Sequence, residues 1–323
     1  MTGFAASHLR SLPGLGPESR RLPLLEARAE RPGPTIWLTA CMHGDEVGGM
    51  AVVHELFKAL KRWGLLCGKV MALPMVNPVG FEARRRELPY TGEDLNRCFP
   101  GNPAASLGRR HAFAVFDWIM KSKPELVLDL HNDWNRSIPY GLTEPGETPA
   151  HQKARDYLAA TGLLAVEDIE LIEGALAPAL LDAGVPALTL ELGESHLVNE
   201  QWVRLGLERI WALMAQMEMV VPQKAAEALP IGELDRRLVY SNRPWAPASG
   251  IIRYLVAPGA WVKARQPLAR IYDPLGRSLA LLKAEKAGVL LGHADSAVVF
   301  AGMPVFAFGT GLPVEMDRQA SRA

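Results

Sequence analysis

Apolar positions along the chain fall into two textures. Up to about residue 220, short and nearly continuous apolar runs alternate with longer stretches of helical spacing. The runs at 35–40 (TIWLTA), 70–76 (VMALPMV), 126–130 (LVLDL) and 187–192 (ALTLEL) predict strands. Runs apolar at almost every position are expected where helices cover both faces of a parallel sheet. Residues 47–63, 107–121, 149–161 and 199–219 carry apolar side chains at helical spacing, with Gly64 placed to end the first helix and Pro149 to open the third. The alternation predicts an α/β fold, a mixed, mostly parallel sheet flanked by helices. Strand order is not legible at this level.

Near Val221 the texture changes. Residues 221–232 contain two prolines and an alanine-rich polar stretch, which reads as a linker. Short β-type runs follow at 250–256, 267–272, 288–291, 297–300 and 304–308, separated by turn signals such as Pro258-Gly259 and Asp273-Pro274. The expected organisation is therefore an α/β domain over 1–220, a linker over 221–232 and a small all-β domain over 233–323, with a tail after Phe308.

Composition narrows the class. The 323 residues include 35 basic and 35 acidic side chains, and 49% are hydrophobic, which excludes wholesale disorder. Zero net charge leaves no basic surplus for nucleic acid. The zero is a sum: residues 229–323 hold 12 basic and 7 acidic groups (+5), leaving 23 and 28 (−5) for residues 1–228. Three scattered cysteines fit a reducing compartment. Arg10, Arg20, Arg21, Arg28 and Arg31 interrupt the first 31 residues, so neither a secretory signal nor a membrane helix is expected. These features predict a cytoplasmic protein with no nucleic-acid or membrane partner.

Candidate chemistry gathers at the ends of the predicted strands, where α/β sheets place ligands. The first strand runs into Cys41-Met42-His43-Gly44-Asp45-Glu46, and another ends at Asp129-Leu130-His131. His43 and Glu46 can be aimed at one point by a single turn; alone, the pair also reads as a surface histidine beside a capping acid. Two histidines and a glutamate would make a three-ligand zinc site with an open fourth position, the catalytic rather than the structural pattern. Asp129 could orient a ring nitrogen, or be a solvated or capping acid. Between the ligands lie Asn77-Pro78, Arg84-Arg85-Arg86 and Asp94-Leu95-Asn96-Arg97-Cys98-Phe99-Pro100-Gly101. An asparagine beside an arginine suits a substrate carboxylate, and a further arginine could polarise a carbonyl. Glu191 interrupts an apolar strand, which is costly outside a site or a strand end. Near an activated water it would be a general base; otherwise it pairs with an arginine.

Taken together, His43-Gly44-Asp45-Glu46, Asn77-Pro78 with Arg86, Asp94-Leu95-Asn96-Arg97 with Phe99-Pro100-Gly101, Asp129-Leu130-His131 and Glu191-Leu192-Gly193 resemble the succinylglutamate desuccinylase/aspartoacylase family of the zinc carboxypeptidase clan. The resemblance spans roughly residues 20 to 310. It implies a zinc-carboxypeptidase-like fold and one Zn²⁺ held by His43, Glu46 and His131. It also implies a substrate carboxylate bound by Asn96 and Arg97, a scissile carbonyl polarised by Arg86 with Arg84 and Arg85 as competitors, and Glu191 as the base. The implied reaction is hydrolysis of the amide of a small N-acyl amino acid by activated water, without a covalent acyl-enzyme. Cys41 and Cys98 are then buried, inert thiols. The β domain is similar to a barrel-sandwich of the biotinyl/lipoyl type. Two competing readings remain: a zinc carboxypeptidase acting on peptides, and a carrier modified at Lys286. A homo-oligomer is compatible with the sequence, which does not decide it.

Overall fold

The computed structural model describes residues 2–12, 20–170, 172–223 and 238–311. Of the expected linker only 221–223 lie among these, and the tail after Phe308 is described as far as Gly311. The chain opens with an antiparallel hairpin, β1 (Gly3–Leu12) and β2 (Arg20–Arg28). There follow β3 (Thr35–Ala40), α1 (Gly48–Trp63), β4 (Lys69–Leu73), α2 (Pro78–Ala83), α3 (Leu107–Lys121), β5 (Leu126–Asp133), β6 (Arg136–Ser137), β7 (Pro139–Thr143), α4 (Pro149–Thr161), β8 (Ala165–Glu167), α5 (Leu176–Asp182), β9 (Ala187–Glu194) and α6 (Glu200–Gln216). The remainder is all β: β10 (Leu238–Ser241), β11 (Gly250–Tyr254), β12 (Trp261–Val262), β13 (Pro267–Tyr272), β14 (Ser278–Lys283), β15 (Gly288–His293), β16 (Val298–Val299) and β17 (Phe306–Thr310).

Among the described residues the main sheet runs β1-β2-β4-β3-β5-β9-β7-β8-β10-β17-β15-β12. Its centre is parallel: β3 pairs with β4 and β5, and β5 with β9. The antiparallel β7 then makes the sheet mixed. The predicted strand at 70–76 stops at Leu73, because Pro74 cannot donate to a ladder. Those predicted at 126–130 and 187–192 run on to Asp133 and Glu194, since the polar residues past the apolar runs keep pairing. Near-complete burial of β3 and β5 follows from cover on both sides. α1 packs on β3, β5 and α6, while α5 packs on β5 and β9.

A second, four-stranded sheet, β14-β13-β11-β16, lies in the carboxy-terminal part. Ile252, Leu268, Ile271 and Leu282 from this sheet share an apolar cluster with Leu290, Phe306 and Phe308 from β15 and β17. The result is a small β sandwich whose other layer continues the main sheet. No helix among the described residues is long and apolar enough to cross a membrane.

His111 on α3 is fully buried, and its Nε2 lies 2.8 Å from the Val76 carbonyl oxygen. Burial lowers its pKa to about 4. The unfolded chain therefore takes up a proton near pH 6.5 that the folded chain refuses until about pH 4, so stability falls with falling pH across that window. The loss attached to this residue is about 3 kcal/mol. Denaturant unfolding of wild type and His111→Gln at pH 7 and 4.5 should show the shallower pH dependence in the variant.

Candidate active site

The site is assembled at the carboxyl ends of β3, β5 and β9. After β3 the chain turns through Cys41, at φ 52°, and residues 42–46 cross the end of the sheet. This turn passes α2 so closely that a Cβ on Gly44 would sit 1.9 Å from the Gly80 carbonyl carbon; no other residue fits. Gly44 N–H donates to the Arg85 carbonyl at 3.0 Å. Asn77 caps α2 by accepting from Gly80 N–H at 2.8 Å, and its Nδ2 donates to the Arg86 carbonyl at 3.3 Å. The Asn77-Pro78 motif thus fixes the loop that carries the three arginines.

Of those three, Arg86 alone turns inward. Arg84 takes a left-handed conformation as the cap of α2, and both Arg84 and Arg85 are exposed. Arg86 Nε donates to Asp94 Oδ2 at 3.1 Å and Nη1 to Glu46 Oε1 at 3.3 Å. Its charge outlasts burial because Glu46, Asp94 and Glu191 surround it and raise its pKa.

His43, Glu46 and His131 converge, all buried, with ligating atoms within 4.8 Å of one another. His43 Nδ1 lies 2.6 Å from Glu46 Oε1, and His131 Nδ1 lies 2.7 Å from Glu46 Oε2. The far nitrogen of each ring faces another carboxylate: His43 Nε2 to Asp94 Oδ1 at 3.1 Å, His131 Nε2 to Asp129 Oδ2 at 2.9 Å. Asp129 is itself held by Thr39 Oγ1, which donates at 2.6 Å. With each Nε2–H committed to an acid, a neutral ring turns its Nδ1 lone pair toward Glu46. Two such lone pairs and a carboxylate meeting at one buried point are a donor set that fits a divalent metal. Glu46 is held ionised there: burial alone would raise its pKa, yet the two imidazoles keep it well below the usual range. Burial likewise depresses His131, but Asp129 and Glu46 carry it well above the usual histidine range.

Removal of the Asp129 contact should loosen the metal without dismantling the fold. Asp129→Asn is expected to weaken metal affinity by about 10- to 100-fold, measured by competition with a chromophoric chelator; unchanged affinity would contradict the orienting role.

Glu191 lies opposite His131 across the β5–β9 ladder and opposite Tyr140 across β9–β7, so the three side chains share one face. Its Oε2 is buried with no hydrogen-bond partner among the described residues. Burial, reinforced by Asp133, pushes its carboxyl well above the usual range, against the pull of His131 and Arg86. Asp133, raised to about 7 mainly by burial, accepts a 2.7 Å hydrogen bond from Tyr140. Asn132 ties the pieces together: its Oδ1 accepts from Gly48 N–H at 2.9 Å and its Nδ2 donates to the Leu192 carbonyl at 3.1 Å.

Asn96 and Arg97 sit on a single 3₁₀ turn capped by Asp94. Asn96 Oδ1 accepts from Leu176 N–H at 2.9 Å, which leaves its amide nitrogen as the free end. Arg97 Nη1 donates to the Asn96 carbonyl at 2.6 Å and remains partly exposed, while burial lowers its pKa. Cys41 and Cys98 are buried free thiols with pKa values raised by burial to about 12 and about 11, which removes them as nucleophiles.

Sequence reasoning passed over the residues that the carboxy-terminal part brings to the site. Tyr240 on β10 lies within electrostatic range of Asp133, Glu191 and Asp168, and it receives a hydrogen bond from Trp134. Asp295, beyond β15, is fastened by Asn135, whose N–H donates to Oδ1 at 3.2 Å and whose Nδ2 donates to its carbonyl at 2.7 Å. Neither residue stands in a motif; only their distant pairing partners reveal them.

The fold is α/β with a buried His-Glu-His group that could hold a metal at the carboxyl end of its sheet. Residues 32–217 match the succinylglutamate desuccinylase/aspartoacylase catalytic domain. The chain belongs to the succinylglutamate desuccinylase/aspartoacylase family. An N-alpha-acetyl-L-2,4-diaminobutyric acid deacetylase of Halomonas elongata is 29% identical over 292 residues, covering 84% of this chain and 80% of the relative. The solved succinylglutamate desuccinylase/aspartoacylase of Rhodobacter sphaeroides shares the fold with a TM-score of 0.81 at 22% identity, covering 96% of both chains. The product-bound ectoine utilization protein EutE (DoeB) of Ruegeria pomeroyi does so at 0.80 and 19% identity, covering 96% of this chain and 95% of its own.

Proposed function

We propose that the protein is a zinc-dependent hydrolase that removes the acyl group from a small N-acyl amino acid. The observation that carries the reading is Glu191. A carboxylate with a buried, unpartnered oxygen stands in register beside His131, with Arg86 near enough to counter its charge. A purely structural metal centre requires neither residue.

On this reading His43, Glu46 and His131 hold the metal, and Asp94 and Asp129 fix the two ring orientations. When bound, zinc supplies Lewis acidity and lowers the pKa of a coordinated water. Asn96 Nδ2 and the open edge of Arg97 bind the α-carboxylate of the substrate, which sets the scissile amide between Arg86 and Glu191. Arg86 donates to the carbonyl oxygen as negative charge develops on it. Glu191 Oε2 accepts the proton of the attacking water and passes it to the departing nitrogen. The raised pKa of Glu191 suits both halves of that task, since the group must hold a proton between the two transfers.

Tyr240 and Asp295 flank the site from the carboxy-terminal part, which supports a small substrate over a peptide. The Halomonas relative is named for an acetylated diamino acid, which falls in the proposed class. A carrier role at Lys286 has only the exposure of that lysine to support it. We also propose an α/β domain over 1–220 and a β domain over 233–323, joined by the continuous main sheet and by an apolar cluster in which Leu238, Val289, Leu291 and Ala307 pack with Ile138, Tyr140, Leu164 and Val166. One apolar cluster draws only on residues up to Val220, and another only on residues from Ala246 onward. The test of function is a panel of N-acetyl and N-succinyl amino acids beside short peptides: hydrolysis of the former and not the latter is expected, and the reverse would overturn the reading.

A further inference from the structure

The four-stranded sheet of the carboxy-terminal part is apolar on its outward face, where solvent favours polar side chains. In register across that face, Val298 on β16 opposes Ile251 on β11, and Ile251 opposes Tyr272 on β13. Leu281 on β14 points the same way, since it opposes Arg270 and Arg270 opposes Arg253; by alternation Leu279 does so too. Ile251 is 45% exposed, and Phe300, two residues beyond Val298, is 61% exposed. The inward face is apolar as well, with Ile252, Ile271 and Leu282 in the core of the sandwich. A sheet apolar on both faces is expected where both are covered.

Charge on this face has one sign. Arg253 and Arg270 stand exposed side by side, with the Arg253 guanidinium 5.7 Å from the centre of the Tyr272 ring. Among the described residues no outward position of the four strands is acidic. The face belongs to the half of the chain that carries +5, against −5 on residues 1–228.

An acidic counterpart adjoins it on the same molecule. Asp295, in the turn that leads into β16, lies within electrostatic range of His196 in the β9–α6 loop. Asn135 ties the two segments together, donating to Asp295 and accepting from Ser195 Oγ at 3.2 Å. Leu197 and Val198, next along the β9–α6 loop, are both exposed, and they lie between Glu194 and the exposed Glu200. One surface therefore runs from a basic apolar end on the β sandwich to an acidic apolar end at the rim of the site. Such a surface is complementary to itself, because a two-fold axis lays the basic end of each copy on the acidic end of the other. Area points the same way. At about 4.8 Å between strands and about 3.3 Å per residue, the outer face alone covers on the order of 300 Å². A stable dimer takes roughly 800 Å² from each partner, so the adjoining acidic end has to contribute.

We propose that two copies of this chain pair about a two-fold axis, the outer sheet face around Ile251 and Val298 of each packing on the Leu197–Val198 loop of the other, with Arg253 facing the partner's Glu200. The pairing is independent of the reaction assigned to the site, and it places a second copy at the rim of each site.

Sedimentation velocity on the full chain tests it, over about 1 to 100 µM, with circular dichroism confirming that every variant folds. The wild type should sediment at twice the chain mass at the upper end of that range. Ile251→Glu places an unpaired charge in the contact and should raise the dimer Kd by about 100-fold or more. Arg253→Glu and Glu200→Arg should each raise it by about 10-fold. The double reversal should return it to within about three-fold of wild type, since the two charges then pair across the axis in the opposite sense. A wild type that stays monomeric throughout overturns the proposal, as does a dimer unmoved by Ile251→Glu. Dimerisation lost in Ile251→Glu, with charge reversals that do not rescue each other, overturns the reciprocal pairing and leaves face-on-face stacking of the two outer sheets.

Discussion

Glu191→Gln is expected to lower kcat on the best N-acyl substrate by about a thousand- to ten-thousand-fold, the upper range for loss of a general acid-base group. The amide keeps the shape of the carboxylate and can still occupy the gap beside His131, but it cannot take a proton from water or return one to nitrogen. Because Glu191 is not among the three converging ligands, metal content should be retained at the wild-type level. KM should change little, since no carboxylate or acyl contact is assigned to this residue. The pH-rate profile discriminates further: the limb that belongs to the base in the wild type should vanish from the residual activity of the variant. Turnover within ten-fold of wild type, with metal in place, would remove Glu191 from the chemistry.

Arg86→Ala is expected to cost about 100- to 1,000-fold in kcat, the range seen for loss of one oxyanion donor. The side chain reaches the ligand cluster through Glu46 and the cap of the substrate loop through Asp94. A loss of activity by itself would therefore not separate chemistry from architecture. Two readouts do so. Added guanidinium should restore part of kcat to the variant, and metal affinity should stay within a few-fold of wild type. Variants at Arg84 and Arg85, both exposed, should behave as wild type in the same assay. If Arg85→Ala proved as damaging as Arg86→Ala, the inward orientation of Arg86 would not be what matters.

Much of the framework was legible because physics wrote it redundantly. β3 and β5 are covered on both sides, so nearly every position is apolar and the runs stand out. The helices that cover them repeat their apolar positions for the same reason. β1 and β2 were missed because this hairpin lies at the edge of the sheet, where arginines and exposed side chains interrupt the pattern. β7 was missed because Pro139-Tyr140-Gly141-Leu142-Thr143 has neither an apolar run nor clear alternation. α5 is seven residues long with Pro178 in its first turn, too short for periodicity to register.

The candidate site was legible in part for a similar reason. His43, Glu46, His131 and Glu191 fall in compact motifs just after or within strands, Asn96 and Arg97 in one on the 3₁₀ turn between α2 and α3, and the structure brings them together at the carboxyl ends of β3, β5 and β9. His131 lies inside β5 rather than just past its end, because ladder pairing continues through the polar residues, whereas Glu191 lies inside β9 as the apolar run around it implied. The three consecutive arginines could not be separated by spacing; the left-handed cap at Arg84 decides which one turns inward. Tyr240 and Asp295 carried no signal at all. Their meeting depends on strand order, and strand order is a property of the pairing rather than of any local stretch of sequence.

The central claim is that a metal held by His43, Glu46 and His131 is required for hydrolysis of an N-acyl amino acid. Its most direct test is zinc titration of chelator-stripped protein, with metal content and hydrolysis of Nα-acetyl amino acids recorded on the same samples. Activity rising in proportion to bound zinc, saturating at one ion per chain and absent from His131→Ala at every zinc concentration, is the predicted result. Full activity in the stripped protein, or one bound zinc with no activity on any N-acyl amino acid, would contradict the account.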